Sequence, residues 1–355
     1  MPRTYVFRFH KLSLSSQVEK WGIDMSSSGM LLVLALILDF LITVAIGIVW
    51  LVLWVIGKFG HFQVHYAPFG WTTLSIVAIL TACFAYGYFI GRWRVAVTEV
   101  AYSHPDIPAS FHGYRIVHIS DMHLSTFDDS PGQLEKFVKK INNQNPDLIC
   151  FTGDMVNGNP AEIAPYIKVL QGLSPKDGIM SVLGNHDFLI YTPYPNQSVR
   201  EENIERIASM QRDSLGWNLL RNSHSVISRG DDSITIIGVD NQNCSNQGFH
   251  TISRGDLKKA MAGTSGFRIL LSHDPSHWSD EVIPETDIQL TLSGHTHAAQ
   301  VRLLGWTPAA LTFKETYGLY EREGQSLYVN IGLGCTAPFR IGANPEVTVI
   351  TLAGN

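Results

Sequence analysis

The sequence predicts an α/β domain that follows two membrane-spanning helices, and three patterns along the chain support this fold class. Long apolar runs occupy the first hundred residues. The remainder alternates short β-branched strands with helical stretches, which is the pattern of a buried sheet with covering helices. Polar residues directly follow several of these strands, at the edge where open α/β sheets bind their ligands.

Two apolar runs predict the membrane spans, at residues 31–56 and 71–90. The first contains Asp39 as its only charge and would form a helix of about 39 Å, which exceeds a hydrocarbon core of about 30 Å. Soluble core helices seldom lack a polar face over five turns. A cleaved signal peptide would be shorter and would end in small residues. We therefore expect two anchors within residues 31–92, after a cytoplasmic or interfacial segment at residues 1–30.

Basic residues flank the spans more densely than they occupy the loop between them. By the positive-inside rule, both flanks and the α/β domain that follows are expected on the cytoplasmic side of the inner membrane. Asp39 has no ionic partner at matching depth in the second run, so we interpret it as structural, either protonated or paired with a helix. The basic flanks comprise Arg3, Arg8, Lys11, Lys20, Arg92 and Arg94, against Lys58 in the loop.

Bulk composition excludes some functional classes. The net charge of −5 offers no basic face, so no nucleic acid is expected as a partner. The four cysteines form no C-x-x-C pair. We interpret them as buried thiols rather than as a disulfide framework or a zinc knuckle.

From about residue 95 to residue 355 the pattern predicts one globular domain. Apolar residues recur at helical spacing over residues 134–141 and 163–170. The predicted strands are residues 115–119, 148–151, 179–183, 234–239, 268–271, 288–292, 327–331 and 347–352.

Seven residues at or just beyond strand ends carry metal-ligand chemistry. Each motif alone is weak, since an Asp-x-His can be a turn and Gly-Asn-His-Asp can cap a helix. Together they favour a metal site, because open α/β sheets bind ligands at these strand ends. The seven are Asp121, His123, Asp154, Asn185, His273, His295 and His297.

The chemistry of this set predicts two divalent ions. Carboxylate, imidazole and amide ligands without thiolates suit Mn²⁺, Fe²⁺ or Zn²⁺. Seven ligands are too many for one ion with an open position, but they suffice for two ions about 3.5–4 Å apart that share a carboxylate. Such a pair would hold a hydroxide and neutralise charge on a phosphoryl group during attack.

The combined motifs resemble the five-block signature of the calcineurin-like metallophosphoesterase superfamily, from about residue 112 to the C-terminus. The two spans resemble the front end of its membrane-anchored bacterial members. The resemblance implies a four-layer sandwich of two β-sheets flanked by helices, with the metals at the sheet rim. The blocks are Asp121-x-His123, Gly153-Asp154, Gly184-Asn185-His186-Asp187, His273 and Gly294-His295-Thr296-His297.

The resemblance also implies roles for individual residues. Asp121, His123 and His297 would bind the first metal. Asn185, His273 and His295 would complete the second, and Asp154 would bridge both. His186 would face the substrate and protonate the leaving oxygen, while Asp187 would orient His186 and raise its pKa. We interpret His277 as helix-start packing and the remaining histidines as structural or exposed.

The expected function is a membrane-anchored, metal-dependent phosphoric ester hydrolase that attacks its substrate with a metal-bridging hydroxide. Its phosphate-ester substrate is expected to be lipid-linked or close to the membrane. UDP-2,3-diacylglucosamine pyrophosphohydrolases belong to the superfamily, although their soluble type commonly has Arg where this chain has His186. The alternatives are a general phosphodiesterase, a phosphomonoesterase, and a catalytically inactive metal-binding membrane scaffold.

Overall fold

The computed structural model of the protein describes residues 27–127 and 131–354. The chain falls into two compact units that divide between Phe84 and Ala85. Most of the segment predicted at residues 1–30, together with its basic residues, lies outside the described residues.

The first unit contains helix α1 (Ser27–Gly60) and most of helix α2 (Ala67–Phe89). Both helices are long and apolar enough to cross a membrane, judged by length and composition. The most apolar window of α1 has no buried residue, whereas the core helix of a soluble protein would be covered. Asp39 accepts a hydrogen bond from Thr81 of α2, with Oγ1 to Oδ2 at 3.3 Å. This contact is the helix pairing suggested for Asp39.

The second unit contains two six-stranded sheets with helices around them. Its α-helices are α3 (Pro131–Asn142), α4 (Ile167–Leu170), α5 (Gln197–Ser209), α6 (Leu257–Met261) and α7 (Ile283–Glu285). Its strands are β1 (Ala96–Ser103), β2 (Arg115–Ile119), β3 (Leu148–Phe151), β4 (Ile179–Ser181), β5 (Asn218–Leu219), β6 (Ser223–Arg229), β7 (Asp232–Gly238), β8 (Arg268–Leu271), β9 (Leu290–Ser293), β10 (Gly318–Arg322), β11 (Gln325–Val329) and β12 (Glu346–Ala353).

Both sheets are mixed. In the first, with order β1-β12-β2-β3-β4-β5, strands β2 to β5 run parallel and the C-terminal strand β12 lies antiparallel to β2. In the second, with order β10-β11-β9-β8-β7-β6, strands β11, β9, β8 and β7 run parallel between two antiparallel edge strands. The parallel strands of each sheet therefore end at a common edge.

Alternate residues of the central strands feed separate cores, because successive side chains of a strand point to opposite faces. On β2, Ile116 packs between the sheets and Val117 packs against α3 and α5. On β8, Ile269 packs between the sheets and Leu270 packs against α6. The result is helices, sheet, sheet and helices, which confirms the predicted four-layer fold.

Each of the eight predicted strands overlaps a strand of the second unit, but four observed strands were not predicted. The four missed strands, β1, β5, β6 and β10, are the edge strands of the two sheets. The interpretation of the cysteines is correct only in part. All four are free thiols, with Cys150 and Cys335 buried and Cys83 and Cys244 exposed.

Candidate metal centre

The seven candidate ligands lie beyond the carboxyl ends of strands from both sheets. Six of them are buried, and His295 is partly exposed. In chain order they are Asp121 and His123 after β2, Asp154 after β3, Asn185 after β4, His273 after β8, and His295 and His297 after β9. The fold thus brings together residues that lie up to 176 positions apart, from 121 to 297.

The backbone is left-handed at most of these positions. A residue other than glycine seldom adopts this conformation, which costs about 1–3 kcal/mol and clusters at functional sites. Gly184 leaves room for the arrangement, since a Cβ there would come 2.2 Å from Oδ1 of Asp154. The left-handed ligands are Asp121 (φ 49°), His123 (φ 41°), Asp154 (φ 59°), His295 (φ 73°) and His297 (φ 49°).

Asp121, His123 and His297 form the first half of the centre. The Nε2 atoms of His123 and His297 are 3.0 Å apart. Oδ1 of Asp121 lies 3.2 Å from Nε2 of His297 and 3.8 Å from Nε2 of His123. Two imidazole nitrogens and a carboxylate oxygen therefore converge on one point, as the ligands of a divalent cation do.

Asp154, His273, His295 and Asn185 form the second half. Nε2 of His273 lies 3.1 Å from Oδ2 of Asp154 and 3.3 Å from Nδ1 of His295. Asn185 donates from Nδ2 to the hydroxyl of Tyr191 at 2.9 Å. Its buried Oδ1 has no hydrogen-bond partner among the described residues. A buried amide oxygen left unpaired is costly, and a cation bound in this half would satisfy it.

Asp154 lies between the halves, where a shared carboxylate is needed. Its Oδ2 is 3.1 Å from Nε2 of His273 and 3.7 Å from Nε2 of His123. Its Oδ1 accepts a hydrogen bond from the backbone amide of His186 at 2.8 Å. The carboxylate is thereby held with one oxygen directed at both halves.

Outer contacts fix the histidines of the second half. His273 donates from Nδ1 to the carbonyl of Thr152 at 2.7 Å, so Nε2 is the nitrogen that faces Asp154. His295 donates from Nε2 to Oε1 of Gln247 at 2.9 Å, which leaves Nδ1 with a lone pair. Gln247 in turn donates to Asp274 at 2.7 Å. Such contacts orient metal-binding histidines and make them more basic.

The first half is held differently. The buried guanidinium of Arg340 donates from Nη2 to Nδ1 of His297 at 3.1 Å. It also donates to the carbonyls of Ile331 and Ala343, at 2.8 and 3.0 Å. Since Nδ1 of His297 accepts this bond, its proton is placed on Nε2, the nitrogen that faces Asp121.

The buried carboxylates draw positive charge to the centre. Burial opposes the charged form of His273, but Asp154 and Asp121 outweigh it and raise the pKa of His273 to about 10. Burial likewise opposes ionisation of Asp154, yet His273 and its neighbours hold the pKa of Asp154 below its usual range. Divalent cations would supply this positive charge when bound.

His186 lines the same cleft, and its ring is held by a contact other than the expected one. Its Nδ1 donates to the carbonyl of Asn157 at 2.7 Å, and burial lowers the pKa of the ring. Asp187, which was expected to orient His186, binds the loop backbone instead. Its buried carboxylate accepts hydrogen bonds from the amides of Asp154, Met155, Val156 and Gly184, at 2.8 to 3.3 Å.

A reason for this difference is electrostatic. Burial and the nearby charge of Asp154 raise the pKa of Asp187 to about 7, while the backbone amides favour its ionised form. Asp187 therefore shapes the loop that holds Asp154, much as a capping residue satisfies free amides. The expected increase in the pKa of His186 has no support in these contacts.

A cleft of about 340 Å³ opens above the ligands. Asp154, His295 and His186 lie in it. Its walls include four aromatic side chains, those of Tyr191, Phe249, Phe313 and Phe339. The arrangement offers a charged centre at the base and apolar surface around it.

Three residues of the site were not anticipated: Gln247, Arg340 and Tyr191. Gln247 and Arg340 lie in irregular segments with no motif around them. Asp274 directly follows the candidate ligand His273, and this position could have indicated that Asp274 belongs to the site, where it accepts a hydrogen bond from Gln247. His277 is fully buried and bonds Oγ of Ser272 from Nδ1 at 2.8 Å, which is the packing role we inferred for it.

Comparison with protein families gives one matching model, described as calcineurin-like phosphoesterase. It matches residues 114–299, which is more than half of the chain and includes all seven candidate ligands.

Curated relatives include both membrane and enzyme examples. The uncharacterized metallophosphoesterase YkuE of Bacillus subtilis is 33% identical over 77% of this chain and 91% of its own length. The transmembrane protein with metallophosphoesterase domain of Danio rerio is 30% identical over 78% of this chain and 62% of its own. The UDP-2,3-diacylglucosamine pyrophosphatase LpxG of Chlamydia trachomatis is 26% identical over 78% and 97%.

Proposed function

The chain belongs to the calcineurin-like phosphoesterases, and from that premise we propose that it hydrolyses a phosphate ester or pyrophosphate carried by a membrane lipid. The family makes the protein a metal-dependent phosphoric ester hydrolase. The observation that carries the proposal is the cleft, in which three phenylalanines stand beside candidate metal ligands. A charged base would hold the phosphate, and apolar walls would hold the lipid part.

The ligands divide between two ions in this proposal. Asp121, His123 and His297 hold one, while Asn185, His273 and His295 hold the other. The distances from Oδ2 of Asp154 to both halves support its role as the bridge. When bound, two divalent ions supply charge neutralisation for the phosphoryl oxygens and lower the pKa of the attacking water.

His186 is the proposed proton donor to the leaving oxygen. The bond from its Nδ1 to the carbonyl of Asn157 fixes the ring and favours its protonated form against the effect of burial, and Nε2 would then give its proton to the leaving oxygen. The ring packs 4.6 Å from that of Tyr191 and 4.7 Å from that of His123, between the aromatic wall and the first half of the centre. General acids placed in this way contribute about 10²–10⁴-fold to rate.

Membrane anchoring by α1 and α2 would bring this site to its substrate. The exposed apolar surface of α1 supports anchoring, and so does the likeness to relatives described as transmembrane. The basic residues Arg92 and Arg94, directly after α2, favour a catalytic unit on the cytoplasmic side.

A diacylated sugar nucleotide is the more specific candidate substrate. The LpxG relatives, described as UDP-2,3-diacylglucosamine pyrophosphatases, align over nearly their full length and support it. Their soluble counterparts commonly have Arg where this chain has His186, so the leaving group here would be protonated by an imidazole.

The test is a substrate panel on the full chain in lipid nanodiscs with Mn²⁺. We expect UDP-2,3-diacylglucosamine, or another acylated pyrophosphate, to be cleaved at least tenfold faster than the same nucleotide sugar without acyl chains. Equal rates would overturn the lipid-linked substrate. If the metal-loaded protein cleaves neither these substrates nor bis-p-nitrophenyl phosphate, the result would favour the inactive metal-binding scaffold instead.

A further inference from the structure

A short apolar loop projects from the second unit, residues 303–311, here called the apolar loop. Leu303 and Trp306 exchange backbone hydrogen bonds of 2.9 and 3.0 Å across a two-residue turn. The exposed fractions are 67% for Leu303, 99% for Leu304, 54% for Trp306 and 82% for Leu311. Four large apolar side chains so close together are unusual for a surface that faces water.

The conformation at the tip makes this choice of residues more unusual. Leu304 has φ 51° and Gly305 has φ 83°, so the turn has two left-handed residues. Asn, Asp or Gly normally occupies the first position of such a turn. Leu304 therefore has an unfavourable left-handed backbone and also a fully exposed apolar side chain, and neither is favourable in water.

The loop is held rigidly in spite of its exposure. The hydroxyl of Tyr317 donates to the carbonyl of Gly305 at 2.6 Å. The buried Thr307 donates to the carbonyl of Ala298. The exposed Arg302 lies over the ring of Tyr317, at 5.0 Å, and places a cation at the base of the loop. The four apolar side chains are therefore presented to the outside by a fixed frame.

The same frame receives the chain where α2 runs into the second unit. The amide of Arg302 donates to the carbonyl of Ile341 at 2.8 Å, and the amide of Arg340 donates to that of Gly87 at 3.2 Å. Gly91 permits a close approach, since a Cβ there would come 1.9 Å from the carbonyl of Arg340. The apolar loop and the end of an apolar, membrane-length helix are thus joined through residues 340–341.

One wall of the cleft is part of this frame. Gln300, just before the loop, donates from Nε2 to the carbonyls of Ala337 and Phe339, both at 2.6 Å. Its Oε1 accepts from the amide of Thr336 at 3.0 Å. All four of these residues line the cleft. The position of the loop therefore also fixes the position of the cleft mouth.

We propose that Leu303, Leu304, Trp306 and Leu311 insert into the boundary between hydrocarbon and headgroups of a lipid bilayer. Leucine and tryptophan are the residues that enter this zone, and Arg302 would meet the headgroup phosphates as its stem follows the apolar surface. The bilayer is favoured over a protein partner because the loop shares its frame with the end of the membrane-length helix. The proposal rests on the membrane anchoring that is part of the proposed function. An inserted loop would place the mouth of the cleft at the lipid surface.

Spin labels on the full chain in lipid vesicles test the insertion. Cys83→Ser and Cys244→Ser first remove the exposed thiols, and single cysteines then replace Leu304, Leu311 or Val226. Val226, 54% exposed on β6, is the matched control. The quantity measured is the ratio of collisions with lipid-soluble oxygen to collisions with a water-soluble nickel chelate. We expect this ratio to be severalfold higher for the labels at 304 and 311 than for the label at 226.

Two results would overturn the proposal. Labels at 304 and 311 as accessible to the nickel chelate as the label at 226 would place the loop in water. Labels protected from both reagents would show that a protein, such as a second copy of the chain, covers the loop.

Kinetics separate this inference from the proposed function. Leu304→Asn removes the apolar tip with a residue that tolerates a left-handed turn. We expect a severalfold lower rate on an ester embedded in the bilayer, and a rate on bis-p-nitrophenyl phosphate within twofold of wild type. An equal loss on both substrates would contradict the proposal. If the labels insert into lipid but the enzyme shows no preference for lipid-linked esters, the proposed substrate is overturned and the insertion of the loop stands.

Discussion

The two halves of the candidate metal centre each contain a carboxylate and two histidines, but they differ in what holds those histidines. In the second half, His273 and His295 each donate a ring proton to an oxygen, and Gln247 is itself bound to the buried Asp274. In the first half, Nδ1 of His297 accepts a hydrogen bond from the cation Arg340. Nδ1 of His123 has no hydrogen-bond partner in the described part of the chain.

This difference predicts unequal affinity for the two ions. An oxygen that accepts the outer ring proton makes the inner nitrogen a better ligand. The guanidinium of Arg340 does the opposite, because it favours the proton on the nitrogen of His297 that faces Asp121. A ring proton must leave in each half before a cation binds, from His297 in the first and from His273 in the second, so the outer contacts decide the difference. We therefore expect the ion of the second half to bind more tightly.

Removing the bridge should have the largest effect. Asp154→Asn takes away the carboxylate shared by both halves, so we expect both ions to be lost and turnover to fall at least 10³-fold. Metal analysis of the purified full chain checks this. Asp256→Asn, at the exposed start of α6, is the control, because Asn also caps helices. Loss of one ion alone would contradict the bridge.

His186 belongs to neither half, and its replacement should separate chemistry from metal binding. His186→Ala should retain both ions and lower turnover by about 10²-fold or more, the scale for a general acid. Turnover and metal content are measured on the same preparation. A variant that loses metal would show that His186 is a ligand.

Gln247→Leu should reduce the difference in metal affinity between the two halves. His295 then loses the acceptor for its Nε2 proton, and a lost outer contact typically costs about 10–100-fold in metal affinity. In a chelator titration, wild type should release its ions in two steps and the variant in steps that lie closer together. Unchanged separation of the steps would show that Gln247 does not set the affinity.

Tyr191→Phe should give the smallest change. The hydroxyl accepts a hydrogen bond from Asn185 and donates to the carbonyl of His250, while the ring packs against His186. Phe keeps the ring, so we expect only a severalfold weaker ion in the second half, with little change in turnover at saturating metal. A loss as large as that of His186→Ala would indicate a direct role of the hydroxyl in the reaction.

The sequence predicts well which residues the fold brings together, because each candidate ligand follows an apolar strand and parallel strands end at one edge. It predicts the sheet edges poorly. The missed strands β1, β6 and β10 alternate exposed and partly buried residues, and β5 has two residues, so none forms a continuous apolar run.

The contacts that distinguish the halves depend on the fold. Arg340 reaches His297 across 43 positions, and Gln247 reaches His295 across 48. Neither lies in a motif. Asp187 shows the same limit, because the resemblance implied that it orients His186, whereas the loop amides compete successfully for its carboxylate.

Metal analysis and electron paramagnetic resonance of the full chain loaded with Mn²⁺ test the two-ion centre itself. We expect two ions per chain with an exchange-coupled spectrum, because Asp154 would join them. Limited chelation should convert this to the spectrum of a single ion held by the second half. One ion per chain at saturation would rule out a two-ion centre, and two ions without coupling would rule out the shared carboxylate.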